Sequence, residues 1–433
     1  MQNKHKFIML LSCLSLLSGC LNNLEVKKEE ANNDPEKVIA KSTSNQLTNE
    51  NYRAVITDGK YQLGPSASSD YTLSSTGNAF AFEDGLLRIS REVFPTDQYF
   101  LKEGQLIDGE TLTSWVGREG EDNPEGLNPA IPLDKGNSST ETTVANQETT
   151  LEDQTSSVEE ATVTSITDDG QEVMVDAEGN VIDENAGRPD QVVTQVQSTP
   201  IYLSQILEKD IMVETDSGYK LAGIVLGLSM NSRYEYTDPE GVVYEEEISM
   251  GEMRERGRAY ANIIVGRLRA TEELRSIPIL VGIYRQASSD EIVGGTFVLD
   301  GISREGNAVS DWKELNEYRV ALPMTDISTE AEKYAYFNNF SKGILNFFPN
   351  LNGISGQVLY ANDQLMTLDI EIMTQFYQIT EITALSQHVL DTAQRTLPEN
   401  IAIEIKIVSN ADTEAFIGRA AGETEYQSHV FRQ

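Results

Sequence analysis

Cysteine is almost missing from this 433-residue chain: Cys13 and Cys20 are its two, both within the first twenty positions. No downstream domain can therefore hold a disulfide framework, a cysteine-based metal site or a cysteine nucleophile. Histidine is nearly as scarce, with only His388 and His429 beyond the first twenty residues. Neither has a partner nearby in sequence, and both read as structural or solvent-facing. The His-Glu-x-x-His zinc helix, the Walker phosphate loop, the dinucleotide glycine fingerprint and the Gly-x-Ser-x-Gly elbow are all lacking. Ser310-Asp311-Trp312-Lys313 fits a Ser-x-x-Lys pattern, but its Ser-Asp-Asn and Lys-Thr-Gly companions are missing. The reading is a non-enzyme, with no catalytic residue, no metal ligand and no cofactor. Acidic residues are everywhere, so no single pair stands out as the two carboxylates of a glycosidase.

Positive charge is also in short supply. Lys and Arg number 33 against 69 Asp and Glu, for a formal net charge of −36. Such a surface repels nucleic acid and anionic headgroups, which excludes the nucleic-acid-binding classes. Beyond the first twenty residues no apolar run approaches the roughly 20 residues that span a bilayer.

What is present starts at the N-terminus. Lys4 and Lys6 form a short positive region, Phe7 to Leu17 is apolar apart from small residues, and Leu17-Ser18-Gly19-Cys20 forms a lipobox. This is the pattern of a secretory leader, too short to count as a membrane span. It predicts a lipoprotein signal peptide over 1–19, cleavage between Gly19 and Cys20, and lipidation of the Cys20 thiol. Two acyl chains, at about 0.8 kcal/mol per buried methylene, suffice for stable anchoring. The expected partners are the membrane, through that lipid, and the lipoprotein-processing enzymes; the expected location is the extracellular face of the cell membrane. Loss of Lys4 and Lys6 with the leader takes the charge from −36 to about −38.

Composition then divides the chain. Residues 20–50, rich in Asn, Lys, Glu and Ser, read as a flexible tether. Residues 134–196 are dominated by Thr, Ser, Glu and Asp and lack aromatics, so they bury too little apolar surface to offset chain entropy. Within them Glu172 to Val175, flanked by Asp/Gly clusters, is suited to a transient hairpin. The nearby Asp176-Ala177-Glu178-Gly179-Asn180 lacks the central glycine and closing acid of a calcium loop.

The remainder reads as a tandem duplication. Glu50 to Ile56 resembles Asn316 to Leu322; Phe82 to Leu87 with Phe94-Pro95 resembles Phe340 to Leu345 with Phe348-Pro349; Leu274 to Phe297 resembles Leu397 to Ala420. Copy one is assigned to 51–305, with the acidic insert, and copy two to 306–433. Each copy is expected to run from a short strand into a helix, then two strands, a second helix and a closing strand. The second-copy first helix carries Tyr334, Phe337, Phe340, Ile344 and Phe348 at helical spacing, with Thr329 and Glu332 as a capping box. Strands are expected at Lys220 to Met230, Gly356 to Tyr360 and Gln364 to Met373, and a hairpin turn at Asp238 to Gly241. A helix opens at Ser249 and Glu252 and runs to about Arg275, and its counterpart spans Glu381 to Thr396. The closing strands are Ile277 to Tyr284 and the alternating Ile401, Ile403, Ile405 and Ile407. The expected fold is α+β: two tandem roll-like units of helices on a mainly antiparallel sheet, with a disordered acidic insertion in the first.

One loop stands out. Asp122-Asn123-Pro124-Glu125-Gly126-Leu127-Asn128-Pro129 is fixed by two prolines and a glycine, and Asp122 and Glu125 either point into a shared cleft or satisfy loop N–H groups. Tyr234 and Tyr236 suit either ring stacking on sugars or half-buried strand positions.

The lipobox, the Asn51-Tyr52-Arg53 start, Gly85-Leu86-Leu87-Arg88-Ile89-Ser90 leading to Phe94, the loop from Asp122 to Pro129 and the two-copy plan together resemble the CamS family of sex-pheromone precursor lipoproteins of Gram-positive bacteria. The resemblance runs from about Asn51 to the C-terminus, leaving out the acidic insert. It implies that leader processing releases a short apolar peptide that acts as a mating signal, and it implies no enzymatic role for the mature domain. The corresponding stretch here is Cys13-Leu14-Ser15-Leu16-Leu17-Ser18-Gly19, which departs from the aliphatic Ala-Ile-Phe-Ile-Leu-Ala-like pattern of such pheromones. The alternative is a surface domain that binds or remodels an envelope component in a cleft between the repeats.

Overall fold

The computed structural model describes residues 40–43, 51–68, 73, 76–131, 163–166, 172–175, 199–237, 241–324 and 332–432. In chain order the first half gives β1 (Ala40–Ser42), β2 (Arg53–Thr57), the one-turn helix α1 (Pro65–Ser68), α2 (Thr76–Ser90), β3 (Phe100–Glu103) and α3 (Gly109–Val116). Within the acidic segment, β4 (Val163–Ile166) and β5 (Glu172–Val175) pair antiparallel with one another. Then come β6 (Leu203–Thr215), β7 (Gly218–Met230), the hairpin β8 (Arg233–Thr237) and β9 (Val243–Glu247), α4 (Met250–Arg269), β10 (Ile279–Arg285), β11 (Thr296–Ser303) and β12 (Ser310–Glu314). The second half gives β13 (Glu317–Leu322), α5 (Ala335–Phe347), β14 (Gly353–Ala361), β15 (Gln364–Met373), α6 (Ile379–Thr396), β16 (Ala402–Val408), β17 (Thr413–Arg419) and β18 (Gln427–Val430). All of this belongs to one unit, Ala40–Gln433.

Two sheets carry the fold, eight strands in the order β1-β2-β3-β6-β7-β10-β11-β12 and six in the order β13 to β18. Most neighbours are antiparallel. At the centre of each sheet lies one parallel pair, β7 with β10 and β15 with β16, joined through α4 and α6. A parallel pair requires a long crossover, and these two helices supply it. The tandem helix-on-sheet plan is therefore present. Local sequence explains the helix ends: Ser249 caps α4, its hydroxyl accepting from the Glu252 N–H at 3.2 Å, and Arg267 and Arg269 sit in the last turn against the negative dipole end.

The two units differ in layering. In the first, Ile224, Leu226, Leu228, Ile279, Val281 and Ile283 pack with Met253, Ala261, Ile264 and Val265 of α4. Val225, Leu280 and Tyr284 pack on the other face with Phe82, Leu86 and Ile89 of α2. A sheet covered on both sides needs an unbroken apolar run, which is what Ile279 to Tyr284 provides. The approach of α2 is close: a Cβ at Gly227 would lie 2.7 Å from the Phe82 ring, and one at Gly282 2.7 Å from Ile89. In the second unit α5 and α6 share one face, over Leu368, Ile370, Ile372, Ile403, Ile405 and Ile407. The opposite face carries Asp369, Glu371, Glu404 and Lys406, so these strands alternate.

Four details depart from the sequence reading. The ungapped match of Leu274–Phe297 to Leu397–Ala420 sets Leu280 against Ile403. The faces that carry the crossover helices instead equate Ile279, Val281 and Ile283 with Ile403, Ile405 and Ile407. A one-residue slip flips every side chain of a strand, and an apolar run buried on both faces conceals it. The similar segments at Phe82 and Phe340 lie on helices covering different faces: both are aromatic-rich amphipathic helices, but α2 packs opposite the crossover helix and α5 beside it. β2 is separated from β6 by β3, to which it pairs in parallel at Arg53 and Ala54, whereas β13 pairs β14 directly. Finally, three strands rather than one follow each crossover helix, β10 to β12 and β16 to β18. β12 pairs β11, so the change of sheet falls between Glu314 and Glu317 and not at residue 306. The second-copy helix starts at Ala335 with Tyr334 at its cap and no side-chain cap bond; Thr329 of the expected capping box lies outside the described residues.

Candidate functional site

The loop singled out by its prolines packs against α3 and the end of β6. Asn123 ties it down locally, accepting from the Ser114 hydroxyl at 2.7 Å and donating to the carbonyls of Ser114 and Arg118 at 2.8 and 3.0 Å. Asn128 is fully buried and makes four bonds, accepting from the N–H groups of Tyr202 and Leu203 and donating to the carbonyls of Val116 and Leu203. Glu125 is exposed and accepts the Trp115 indole N–H at 3.1 Å, and Asp122 is exposed as well. Arg118 donates to the carbonyls of Pro129 and Thr199, which draws together the two ends from which the acidic segment departs. It also reaches the Tyr234 hydroxyl at 3.2 Å. Tyr234, Tyr236 and Tyr244 stack along one face of the β8–β9 hairpin.

Three consecutive charged residues of β6, Glu208, Lys209 and Asp210, are buried. Charged side chains are rarely buried unless paired, and alternation along the strand sends these to both faces. Lys209 bonds both Glu103 oxygens at 2.9 Å and also pairs with Glu83 of α2. Tyr61 donates to the same Glu103 at 2.6 Å. On the other face Glu208 accepts the N–H groups of Leu106 and Ile107, each at 3.0 Å. Asp210 receives a long contact from the Gln105 N–H, 3.3 Å, and its carboxyl is hydrogen-bonded to that of Glu208. Burial, then the charge of Glu208, pushes the Asp210 carboxyl up to about 8. Glu208 is raised as well, by burial, so the two carboxyls together hold a proton more tightly than free ones do. Sequence reading missed this triad, although three adjacent charges between Ile206-Leu207 and Ile211-Met212 are a visible signal.

Between the two sheets runs a seam of charge. Glu317 at the start of β13 is the joint: its carboxylate accepts Arg88 of α2 at 2.6 Å and the Phe297 N–H at 3.2 Å. Arg319 donates to the Gly295 carbonyl at 3.2 Å. On the helix-free face of the second sheet Asp369 is pushed up to about 6, first by burial and then by Glu404, its neighbour on β16; Arg319 and Lys406 oppose the shift, and Asp84 of α2 adds to it. The structure thus brings Asp84, Arg88, Glu317, Arg319 and Asp369 to one seam, while Asp122 and Glu125 belong to the loop on α3. Arg88 falls inside the Gly85–Ser90 stretch that carries the family resemblance, and Asp84 lies just ahead of it. Their meeting with β13 and β15 depends on how the sheets dock, for which a single sequence carries no signal.

Among the described residues no group of three or more His, Cys, Asp or Glu side chains is placed to hold a metal ion. His388 stacks on Phe347 at 4.2 Å, with its Nε2 3.1 Å from the Gly343 carbonyl, and His429 lies on the edge strand β18. Gly19 and Cys20 lie outside the described residues. No helix among the described residues is long and apolar enough to cross a membrane.

Comparison with known proteins places this architecture. Residues 61–160 and 180–425 match the family described as the CamS sex pheromone cAM373 precursor. The crystal structure of a sex pheromone precursor from Lactobacillus salivarius subsp. salivarius UCC118 is similar at 29% identity and TM-score 0.71, covering 91% of this chain and 99% of its own. The C-terminal domain of the sex pheromone staph-cAM373 precursor from Staphylococcus aureus shares the fold, with 23% identity, TM-score 0.59, and coverage of 83% and 98%. No curated protein matches the chain.

Proposed function

Because the chain belongs to the CamS family of sex-pheromone precursors, we propose that it is a membrane-anchored lipoprotein whose leader supplies a short extracellular peptide. The observation that carries this reading is the joint presence of the family match and the lipobox Leu17-Ser18-Gly19-Cys20. Cleavage ahead of Cys20 leaves a cysteine that carries diacylglycerol on its thiol, and the acyl chains hold the mature chain at the extracellular face of the cell membrane. The net charge of −36 disfavours adhesion to anionic headgroups, so a lipid suits this task. The mature domain is a folded, non-enzymatic body, tethered by residues 20–50. The enzymes that process lipoprotein precursors are its obligatory early partners.

Substitution of the cysteine tests the reading. With Cys20→Ala, fatty-acid labelling is lost and the protein collects as uncleaved precursor or in the medium. A Cys20→Ala chain that is still cut after Gly19 and still sediments with membranes would refute the anchor.

A further inference from the structure

On the edge of the second sheet four side chains outside the seam form a small cage. Tyr318 and Tyr360 are cross-strand partners on β13 and β14, with parallel rings 4.9 Å apart and an interplanar angle of 5°. Tyr334, at the cap of α5, stands nearly perpendicular to Tyr360, at 83° with 6.4 Å between centroids. The ammonium of Lys333 lies 4.4 Å from the Tyr360 centroid, 5.0 Å from Tyr318 and 5.8 Å from Tyr334. It donates to the Tyr318 hydroxyl at 2.7 Å, and that hydroxyl reaches Asp363 at 3.2 Å. One cation thus lies within 5.8 Å of three ring centroids and donates to an oxygen acceptor.

Walls and occupant are held very differently. Tyr334 and Tyr360 are 2% and 4% exposed and belong to the core over which α5 and α6 pack. Lys333 is exposed and sits on the segment leading into α5. Core packing holds Tyr334 and Tyr360, and the β13–β14 register sets Tyr318 opposite Tyr360, whereas a long, exposed lysine side chain gives up rotamer freedom to sit among them. Aromatic cages of this kind bind ligand cations through the ring quadrupole. We propose that the Tyr318–Tyr334–Tyr360 cage is a binding site for a primary alkylammonium group, and that Lys333 is a resident occupant which such a ligand displaces. A primary ammonium is favoured over a quaternary one because the Tyr318 hydroxyl, backed by Asp363, accepts an N–H bond that a trimethylammonium cannot offer. This site is independent of the leader and of the lipid anchor.

The test is a titration of the full chain carrying ring-labelled tyrosine, followed by NMR, with n-butylammonium, tetramethylammonium and n-pentanol as probes. Lys333→Ala, an exposed truncation whose fold is checked by its melting temperature, is expected to bind n-butylammonium at least about tenfold more tightly than the unsubstituted chain does, since no internal cation competes. Tetramethylammonium should bind more weakly and n-pentanol should not shift the rings. Adding Tyr318→Leu, which removes one wall and the acceptor, should abolish the gain. Equal affinity with and without Lys333, equal shifts from n-pentanol, or a gain that survives Tyr318→Leu would each overturn the proposal. Tighter binding of tetramethylammonium would overturn the assignment to a primary amine.

Discussion

Arg88 on α2 and Glu317 on β13 form the ion pair that joins the two units, with Nη2 and Oε1 2.6 Å apart and the Glu317 side chain 2% exposed. The second Glu317 oxygen holds the Phe297 N–H, so one carboxylate satisfies a cation and a backbone donor from the first unit. Removing it leaves both unpaired. Breaking a buried pair costs about 3–5 kcal/mol. Arg88 is 23% exposed and can recruit water, so Glu317→Ala should fall at the lower end. Glu317→Gln, which keeps the acceptor oxygen, should cost less. Urea unfolding checks this, and a double-mutant cycle with Arg88→Ala should return a favourable coupling energy. Zero coupling would mean the seam is held by backbone contacts alone.

The Asp210 carboxyl gives a stability profile with a definite sign. Its folded value, pushed up to about 8 by burial and by Glu208, exceeds the ordinary unfolded value near 3.9. Between those values the folded state holds a proton that the unfolded state has released, so its contribution falls as pH rises and levels off above about 8. Asp210→Asn removes that dependence. Its melting temperature should match that of the native chain near pH 4 and exceed it by a growing margin up to about pH 8, after which the gap stays constant. A gap that shrinks with rising pH would show that Asp210 is ionised in the fold.

Legibility in the sequence followed the side-chain period. β16 was readable from Ile403, Ile405 and Ile407 because one face of the second sheet is polar, and α4 from its Ser249 cap. β6 escaped notice because Glu208, Lys209 and Asp210 interrupt its apolar pattern, and their burial depends on distant segments, Glu103 and Glu83 for Lys209 and the backbone N–H groups of residues 105–107 for the two acids. Docking of α2 on the first sheet was invisible for the same reason, since Phe82 and Gly227 are related only by tertiary contact. The loop residue that matters most for structure, Asn128, looked no different from its neighbour Asn123. Its weight comes from the four backbone groups that close on it only in the fold.

Arg118 bears on the acidic insert. Its guanidinium bonds the carbonyls of Pro129 and Thr199, so the points at which residues 134–196 leave and re-enter the fold are already held together. A short linker then closes the same gap, and loop-closure entropy changes only slowly with length, by about 0.6 kcal/mol per doubling. Replacing residues 134–196 with a short Gly/Ser linker should move the melting temperature by a few degrees at most. Arg118→Ala in the shortened chain should destabilise it more than in the native chain, because the linker then has to hold the ends alone. Loss of cooperative unfolding on shortening would show that the insert packs as part of the first unit.

The leader carries the last prediction, that any signal lies ahead of Cys20 and acts independently of the mature domain. Lipoprotein processing leaves a free leader, and its final stretch Cys13-Leu14-Ser15-Leu16-Leu17-Ser18-Gly19 is short and uncharged. Ser15 and Ser18 lower its hydrophobicity, which eases escape from the membrane and weakens its fit to a receptor pocket shaped for aliphatic side chains. Each missing methylene-scale contact in such a pocket costs about 1–3 kcal/mol, so two serines in aliphatic positions reduce affinity by orders of magnitude. Synthetic Cys13-to-Gly19 peptide should therefore be weak in a plasmid-mating clumping assay, and a variant with Ser15→Ile and Ser18→Leu should be stronger. Full potency of the native peptide would show that the receptor tolerates hydroxyls at those positions. Activity from purified mature protein, with no leader present, would place the signal in the folded domain and end the leader hypothesis.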